Sequence, residues 1–185
     1  MPDLLSTFIV ISVFVLCLSL LLFQFITGVP PMSSSRAEAA GVVALLREAQ
    51  LPERPVIYEL GSGWGSLVCA LARAFPQAQI RGVELSPLPY WVARWRTRKL
   101  NNVRLQRANF YKVDLHDANA VTCYLMIKPM PALAAHLDQS LKPGTPVVAL
   151  TFWFRQRQVA LSQQNAAVRG GVALYFWPAR MAAAT

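Results

Sequence analysis

In the run Val56-Ile57-Tyr58-Glu59-Leu60-Gly61-Ser62-Gly63-Trp64-Gly65 an apolar segment ends in an acid, and glycines then stand at every second position. Residues of these types in this order let a strand turn tightly into a helix. Gly61 and Gly63 allow backbone angles that residues with a Cβ avoid, and they leave room for a ligand to lie against the main chain. A helix beginning near Trp64 would turn unpaired N–H groups and the positive end of its dipole toward a carboxylate on that ligand. Glu59, two positions before the first glycine, suits an ammonium group. A second acid, Glu84, ends the next apolar strand, Gln79-Ile80-Arg81-Gly82-Val83-Glu84, where it can accept hydrogen bonds from both hydroxyls of a ribose.

A dinucleotide fingerprint also joins a strand to a helix through glycines, with an acid about 20 residues later. The spacing here is G-x-G-x-G rather than G-x-G-x-x-G, and a dinucleotide site has no need of a charge at the position of Glu59. Ammonium, carboxylate and ribose together describe S-adenosylmethionine. The alternatives are a different nucleotide, or a nucleotide-free domain with a tight glycine turn and two surface glutamates.

The elements that must position these residues follow in order. Arg36 to Gln50 is expected as an amphipathic helix with a serine as its cap. Strands are predicted at Val56–Glu59, Gln79–Glu84, Val103–Ala108, Ala120–Met126 and Val147–Phe154. Helices are predicted between them at Gly65–Phe75, Pro87–Leu100 and Pro131–Leu141. Such alternation implies an α/β fold, a mostly parallel sheet covered by helices, with ligands beyond the carboxyl ends of the strands. Gln158–Gln163 and Val172–Trp177 are expected to close the sheet as an antiparallel hairpin around Arg169-Gly170-Gly171. Trp91 and Trp95, four apart, are expected to pack their helix onto the sheet.

Leu4 to Ile26 has no charged residue. About 20 apolar residues cross a bilayer as one helix, so residues 1–27 read as a transmembrane anchor, 28–35 as a linker and 36–185 as one domain. A secretory signal would need a basic start and a shorter apolar core, whereas this chain begins Met1-Pro2-Asp3. A cleaved signal remains the alternative, with Ser33 and Ser35 near a cut. The only charge before the span is Asp3, and the basic residues start at Arg36. The expected topology is single-pass, with the domain on the cytoplasmic or equivalent inner side. The formal charge of +9, from 18 Lys and Arg against 9 acids, favours anionic lipid over nucleic acid as the partner of the basic surface.

Cys17, Cys69 and Cys123 have no metal spacing and form no disulfide framework, and His116 and His136 have no partner at ligand spacing. No metal is expected.

The order of elements and the residues at the strand ends resemble a class I S-adenosylmethionine-dependent methyltransferase with a Rossmann-like sheet. The closer resemblance, over nearly the whole chain, is to the small single-span protein-lysine methyltransferases. It is carried by Pro30-Pro31, Glu59-Leu60-Gly61-Ser62-Gly63, Val83-Glu84-Leu85-Ser86-Pro87 with Trp91 and Arg94, and Asn109-Phe110-Tyr111-Lys112-Val113-Asp114-Leu115. Known members of that family act in mitochondria on the c subunit of ATP synthase and on the adenine nucleotide translocase. The resemblance implies that Glu59, Gly61, Ser62, Gly63 and Gly65 hold the methionine end, Glu84 the ribose, and Asn109 with Phe110 the adenine. Trp64 stands where that family usually has an acid, and Asn109 where class I enzymes often have Asp.

Tyr124-Leu125-Met126-Ile127-Lys128-Pro129-Met130 is not the Asn/Asp-Pro-Pro-aromatic motif of enzymes that methylate exocyclic amino groups of bases, which argues against a nucleic-acid acceptor. The expected activity is methylation of a lysine on a membrane-associated protein. A lipid or small-molecule methyltransferase and a non-enzymatic S-adenosylmethionine-binding module are the alternatives. Methyl transfer is an in-line displacement that needs no covalent catalyst, but the lysine must lose a proton. Tyr58, Tyr124 and Asp114 are candidate bases, and none is assigned as catalytic.

Overall fold

Val-Ile-Tyr-Glu-Leu at 56–60 is rich in β-branched and aromatic residues, and the chain buries four of the five, as a central strand requires. The computed structural model describes residues 3–27, 33–164 and 170–179, with the side chains of Leu16 and of residues 19–27 outside the description. It divides into two units, Met1–Pro31 and Met32–Thr185.

In the first unit, helix α1 (Leu4–Thr27) runs for 24 residues with no acid in its first turn and no base in its last. Asp3 caps it, its Oδ1 accepting from Ser6 N at 2.8 Å. Among the described residues, no helix is long and apolar enough to cross a membrane. The described side chains of α1 stop at Leu18, so the expected span rests on sequence. Residues 28–32 of the expected linker, Pro30-Pro31 included, lie outside the described residues, as does Arg169 of the expected hairpin turn.

The second unit opens with helix α2 (Arg36–Glu48), held by a capping box: Glu38 N donates to Ser35 Oγ at 3.2 Å, and Ser35 N to Glu38 Oε2 at 2.6 Å. Strand β1 (Val56–Leu60), helix α3 (Ser66–Ala74), β2 (Gln79–Glu84), α4 (Pro87–Thr97), β3 (Val103–Arg107), β4 (Ala120–Cys123), α5 (Met130–Ser140), β5 (Thr145–Leu150), β6 (Leu161–Gln163) and β7 (Val172–Trp177) follow. The sheet order is β3-β2-β1-β4-β5-β7-β6. The first five are parallel, and β7 runs antiparallel to both β5 and β6.

Alternation along the strands divides the core into two layers. Ile57, Ile80, Val148, Val172 and Leu174 face Val42, Leu45 and Leu46 of α2 and Leu67, Val68 and Leu71 of α3. Tyr58, Val83, Val121, Val147 and Tyr175 face the other way, onto Leu133 and Leu137 of α5.

Several elements end earlier than the apolar pattern suggests, for local reasons. β5 stops at Leu150 rather than Phe154 because Thr151 takes φ +67°, outside strand geometry, and Phe154 N donates instead to Tyr175 Oη at 3.1 Å. β4 stops at Cys123 rather than Met126, and β6 starts at Leu161 rather than Gln158. α4 stops at Thr97 rather than Leu100, with Leu100 N turning back to Thr97 O. The expectation for Trp91 and Trp95 fails outright: they are 56% and 65% exposed, and α4 packs through Pro89, Ala93 and Thr97. A small face suffices there because α4 lies close against α3 and β3.

Leu46 is fully enclosed between α2 and the sheet. Leu46→Ala is expected to lower unfolding stability by about 2–5 kcal/mol in denaturant titrations, with unchanged far-ultraviolet circular dichroism in the absence of denaturant.

Candidate functional site

The loop after β1 is fixed from both sides. Gly61 N and Ser62 N both donate to Val83 O at 2.9 Å, tying the loop to the end of β2, and Gly65 N closes a turn onto Ser62 O at 2.9 Å. Gly61 and Gly65 have φ of +76° and +78°, the left-handed region that favours glycine. A Cβ on Gly61 would stand 2.6 Å from Leu125 Cδ2, so the residue after β4 crowds the loop as much as any ligand does. A Cβ on Gly65 would stand 2.9 Å from Ala93 Cβ, which makes the loop part of the α3–α4 contact. α3 begins at Ser66 rather than near Trp64, with Gly65 as its cap residue.

Glu84 stands at the carboxyl end of β2, and its two oxygens divide their work. Oε2 accepts from Gly63 N and Oε1 from Ser86 N, both at 2.7 Å, so one buried carboxylate staples the glycine loop to the start of α4. Glu59 lies one strand away and is 3% exposed. Its Oε2 has no hydrogen-bond partner among the described residues. Burial first, and the neighbouring Glu84 charge second, push the Glu59 carboxyl well above the ordinary glutamate range, while the Val68 N–H pulls it back a little.

Beside Glu59 a cavity of about 10 Å³ is walled by Ser33, Ser34, Gly61, Ser62 and Tyr124. Ser34 Oγ and Ser62 Oγ are, like Glu59 Oε2, buried and without hydrogen-bond partners among the described residues. Buried polar atoms are ordinarily paired, so three orphans around one cavity mark a place built for a polar ligand. Neither acid is ion-paired among the described residues, which favours a cation as that ligand, and the spare lone pairs on Glu84 leave room for hydroxyl donors. A sulfonium compound bearing an ammonium group and a ribose meets each of these requirements.

Asn109 and Phe110 follow β3 and are half-buried. Asn109 Oδ1 accepts from Tyr111 N at 3.0 Å, capping a short 3-10 turn, Phe110–Lys112, and the Phe110 and Tyr111 rings lie 4.3 Å apart. Ala108 N bonds to Glu84 O at 3.1 Å, which holds this turn beside the end of β2. All the residues expected at the site therefore lie at the carboxyl ends of β1, β2 and β3.

Of the candidate bases, Tyr124 alone lines the cavity. Tyr58 Oη instead bonds Asp117 Oδ1 at 3.0 Å, near the amino ends of the strands, in a cluster where Arg81 pairs with Asp117 at 2.7 Å. Burial raises its phenol. Asp114 is exposed and held by His116 N and Nδ1. Cys123 is buried and its thiol is pushed up to about 12 by that burial, which leaves it without nucleophilic character.

The sequence pattern passed over three contributors. Gly82 is one: a Cβ there would meet Leu105 Cδ2 at 2.6 Å and Ser62 Cβ at 3.1 Å, so this mid-strand glycine makes the space Ser62 occupies. A glycine inside a strand is the available signal for such an approach. Ser33 and Ser34 are the others, read as linker although they wall the cavity; Ser33 Oγ lies 2.7 Å from Ser66 Oγ. Nothing in their types announces this.

Comparison with known proteins agrees with the geometry. Over 114 residues the chain is 29% identical to a protein-lysine N-methyltransferase of Saccharolobus islandicus (strain REY15A), covering 60% of this chain and 71% of that protein. It is 32% identical over 103 residues to a trans-aconitate 2-methyltransferase of Deinococcus radiodurans, covering 52% of this chain and 38% of that one. The fold matches a crystal structure of an RNA methyltransferase from Salinibacter ruber in complex with S-adenosyl-L-homocysteine, with TM-score 0.72 at 24% identity, covering 83% of this chain and 98% of that one. The model of the ANTKMT methyltransferase domain matches residues 59–160, more than half of the sequence. With its glycine loop, its paired acids and this match, the chain belongs to the ANTKMT methyltransferase domain family and is an S-adenosylmethionine-dependent methyltransferase.

Proposed function

We propose that the chain is a membrane-anchored protein-lysine methyltransferase, acting from the cytoplasmic or equivalent inner side on a lysine of a membrane-associated protein. The cavity with its unpartnered Glu59 carboxylate carries the methyl-transfer reading. The name of the Saccharolobus islandicus relative supports lysine as the acceptor. The uncharged residues of α1 support an anchor at 1–27, followed by a linker at 28–35 and a catalytic domain at 36–185.

The roles divide by element. Glu59, on β1, takes the ammonium group, and Ser62 Oγ and the loop from Gly61 through Gly63 to Gly65 cradle the methionine end. Glu84 keeps its bonds to Gly63 N and Ser86 N and uses its remaining lone pairs for the ribose hydroxyls. Asn109 and Phe110 hold the adenine edge and face. The bound cofactor supplies an electrophilic methyl group on a sulfonium. The rest is alignment and exclusion of water, for which Ser33, Ser34 and Tyr124 provide walls. The present cavity has about the room of one water, so those walls part when the methionine end enters. A lysine, ordinarily near 10.4, must arrive neutral, and the apolar surroundings of Tyr124 and Leu125 favour that form.

Radiolabel from methyl-labelled S-adenosylmethionine should enter a protein band of membranes from cells lacking this protein when the intact chain is added. The Glu59→Ala, Gly61→Arg variant should lower that signal by a hundredfold or more, and the label should map to lysine. Label confined to a lipid or small-molecule extract would overturn the protein acceptor; the small-molecule acceptor named for the Deinococcus radiodurans relative makes this the reading to exclude. Release of the intact chain by alkaline carbonate would overturn the anchor.

Glu59 also sets two pH signatures. Its carboxyl is raised in the folded state, so the native chain keeps a proton that the unfolded chain releases near pH 4.3. Wild-type stability therefore falls as pH rises from that value to the folded one, and levels off above it. Glu59→Gln cannot titrate, so its melting temperature should gain on the wild type across that window and show no relative gain at lower pH. An ammonium group beside Glu59 favours the ionised form. Calorimetric titration with S-adenosylmethionine in buffers of different ionisation heat should show proton release on binding by the wild type and none by Glu59→Gln.

A further inference from the structure

The exposed side of α4 is a feature that methyl transfer does not use. Trp91 and Trp95 are more than half exposed, and each lies beside a guanidinium, Arg94 at 5.4 Å and Arg98 at 4.4 Å from the ring centre. The same edge borders a groove of about 620 Å³ between α2, α3 and α4, lined by Arg36, Arg73, Trp95, Arg96 and Arg98. None of these arginines, nor Arg94, forms an ion pair among the described residues. Arg96 is fixed by donating to Trp64 O at 2.9 Å and Ser66 Oγ at 3.2 Å, so the groove's charge is anchored to the glycine loop itself.

Several guanidiniums gathered in one groove without an acid repel one another and call for an anion. Guanidinium binds phosphate in bidentate fashion, and an exposed indole sits best where an apolar body and a wet edge are both accommodated. That combination belongs to the headgroup layer of a bilayer. A nucleic-acid site would offer indole faces to bases, whereas here each ring has a guanidinium over it. Ser34, Ser35 and Arg36, at the groove's rim, are also the end of the domain that the sequence joins to the apolar α1 segment.

We propose that this groove and the Trp91–Trp95 edge of α4 bind the headgroups of anionic phospholipids and seat the domain on the bilayer surface. Ser34 and Ser66 line both the groove and the cofactor cavity, so the seated face adjoins the site of methyl transfer. The inference builds on the membrane reading but identifies a contact separate from the anchor.

The test uses the full chain in nanodiscs of phosphatidylcholine carrying a headgroup nitroxide, with and without phosphatidylglycerol, read by tryptophan fluorescence. Quenching is expected to increase when phosphatidylglycerol is present and to fall back at high salt. That increment should be lost in Trp91→Phe/Trp95→Phe and in Arg94→Glu/Arg98→Glu, and kept in Arg94→Lys/Arg98→Lys. Equal quenching in both discs, or an increment that survives Trp91→Phe/Trp95→Phe, overturns the proposal. Single-stranded RNA that strips the tryptophans from anionic discs overturns it in favour of nucleic acid. A chain that leaves neutral discs but stays with anionic ones supports this surface and refutes the α1 anchor. Methyl transfer is not read, so failure of the lysine reading does not register here.

Discussion

Two carboxylates buried at neighbouring strand ends, neither ion-paired to a base among the described residues, are the constraint around which this domain is built. Glu84 meets its share by taking two backbone N–H donors, from Gly63 and Ser86. Glu59 has no such relief and holds its proton well above the usual range. A cation is therefore the ligand that the site gains most from admitting. Because the acids belong to β1 and β2, the parallel register of Glu59 with Gly82 sets their separation.

The same constraint explains why so much neighbouring backbone is spoken for. Val83 O receives both Gly61 N and Ser62 N, and Glu84 O receives Ala108 N. The ends of β1, β2 and β3 are thus laced together through one residue pair. Close packing then limits substitution in the second layer: Leu125 against Gly61, Ala93 against Gly65 and Leu105 against Gly82 are all contacts that a single added methyl would disturb. Preorganised geometry of this kind is what an in-line displacement asks of a protein that supplies no covalent catalyst.

Much of this was legible from the chain. Short apolar runs set between turn-forming or polar residues gave β2 and β7 their observed ends, and the G-x-G-x-G loop beside two acids lies at a cavity in the structure. What the pattern misjudged has physical causes. An apolar run such as Val147–Phe154 says that residues are buried, not that they remain in a strand, and a left-handed Thr151 ends β5 while Phe154 stays in the core. Tyr58 is one of three candidate bases, yet strand alternation turns it to the opposite layer, where it bonds Asp117. Trp91 and Trp95 share the four-residue spacing of a packing face, but on α4 the buried face belongs to Pro89, Ala93 and Thr97. Spacing identifies a face; the size of the residues on it does not say which face is inside.

Ser33–Ser35 shows how a segment with no chemical signature acquires several roles. Ser35 caps α2, Ser34 lines the cavity beside Glu59 with a hydroxyl that has no partner among the described residues, and Ser33 meets Ser66 at the first residue of α3. α2 in turn packs on the sheet through Val42, Leu45 and Leu46, so the wall of the cavity is registered to the core by the helix that follows it. A capping box of this kind is worth about 1 kcal/mol, whereas disturbing the buried face of α2 costs several times as much, so the core rather than the cap holds this wall against the strand ends.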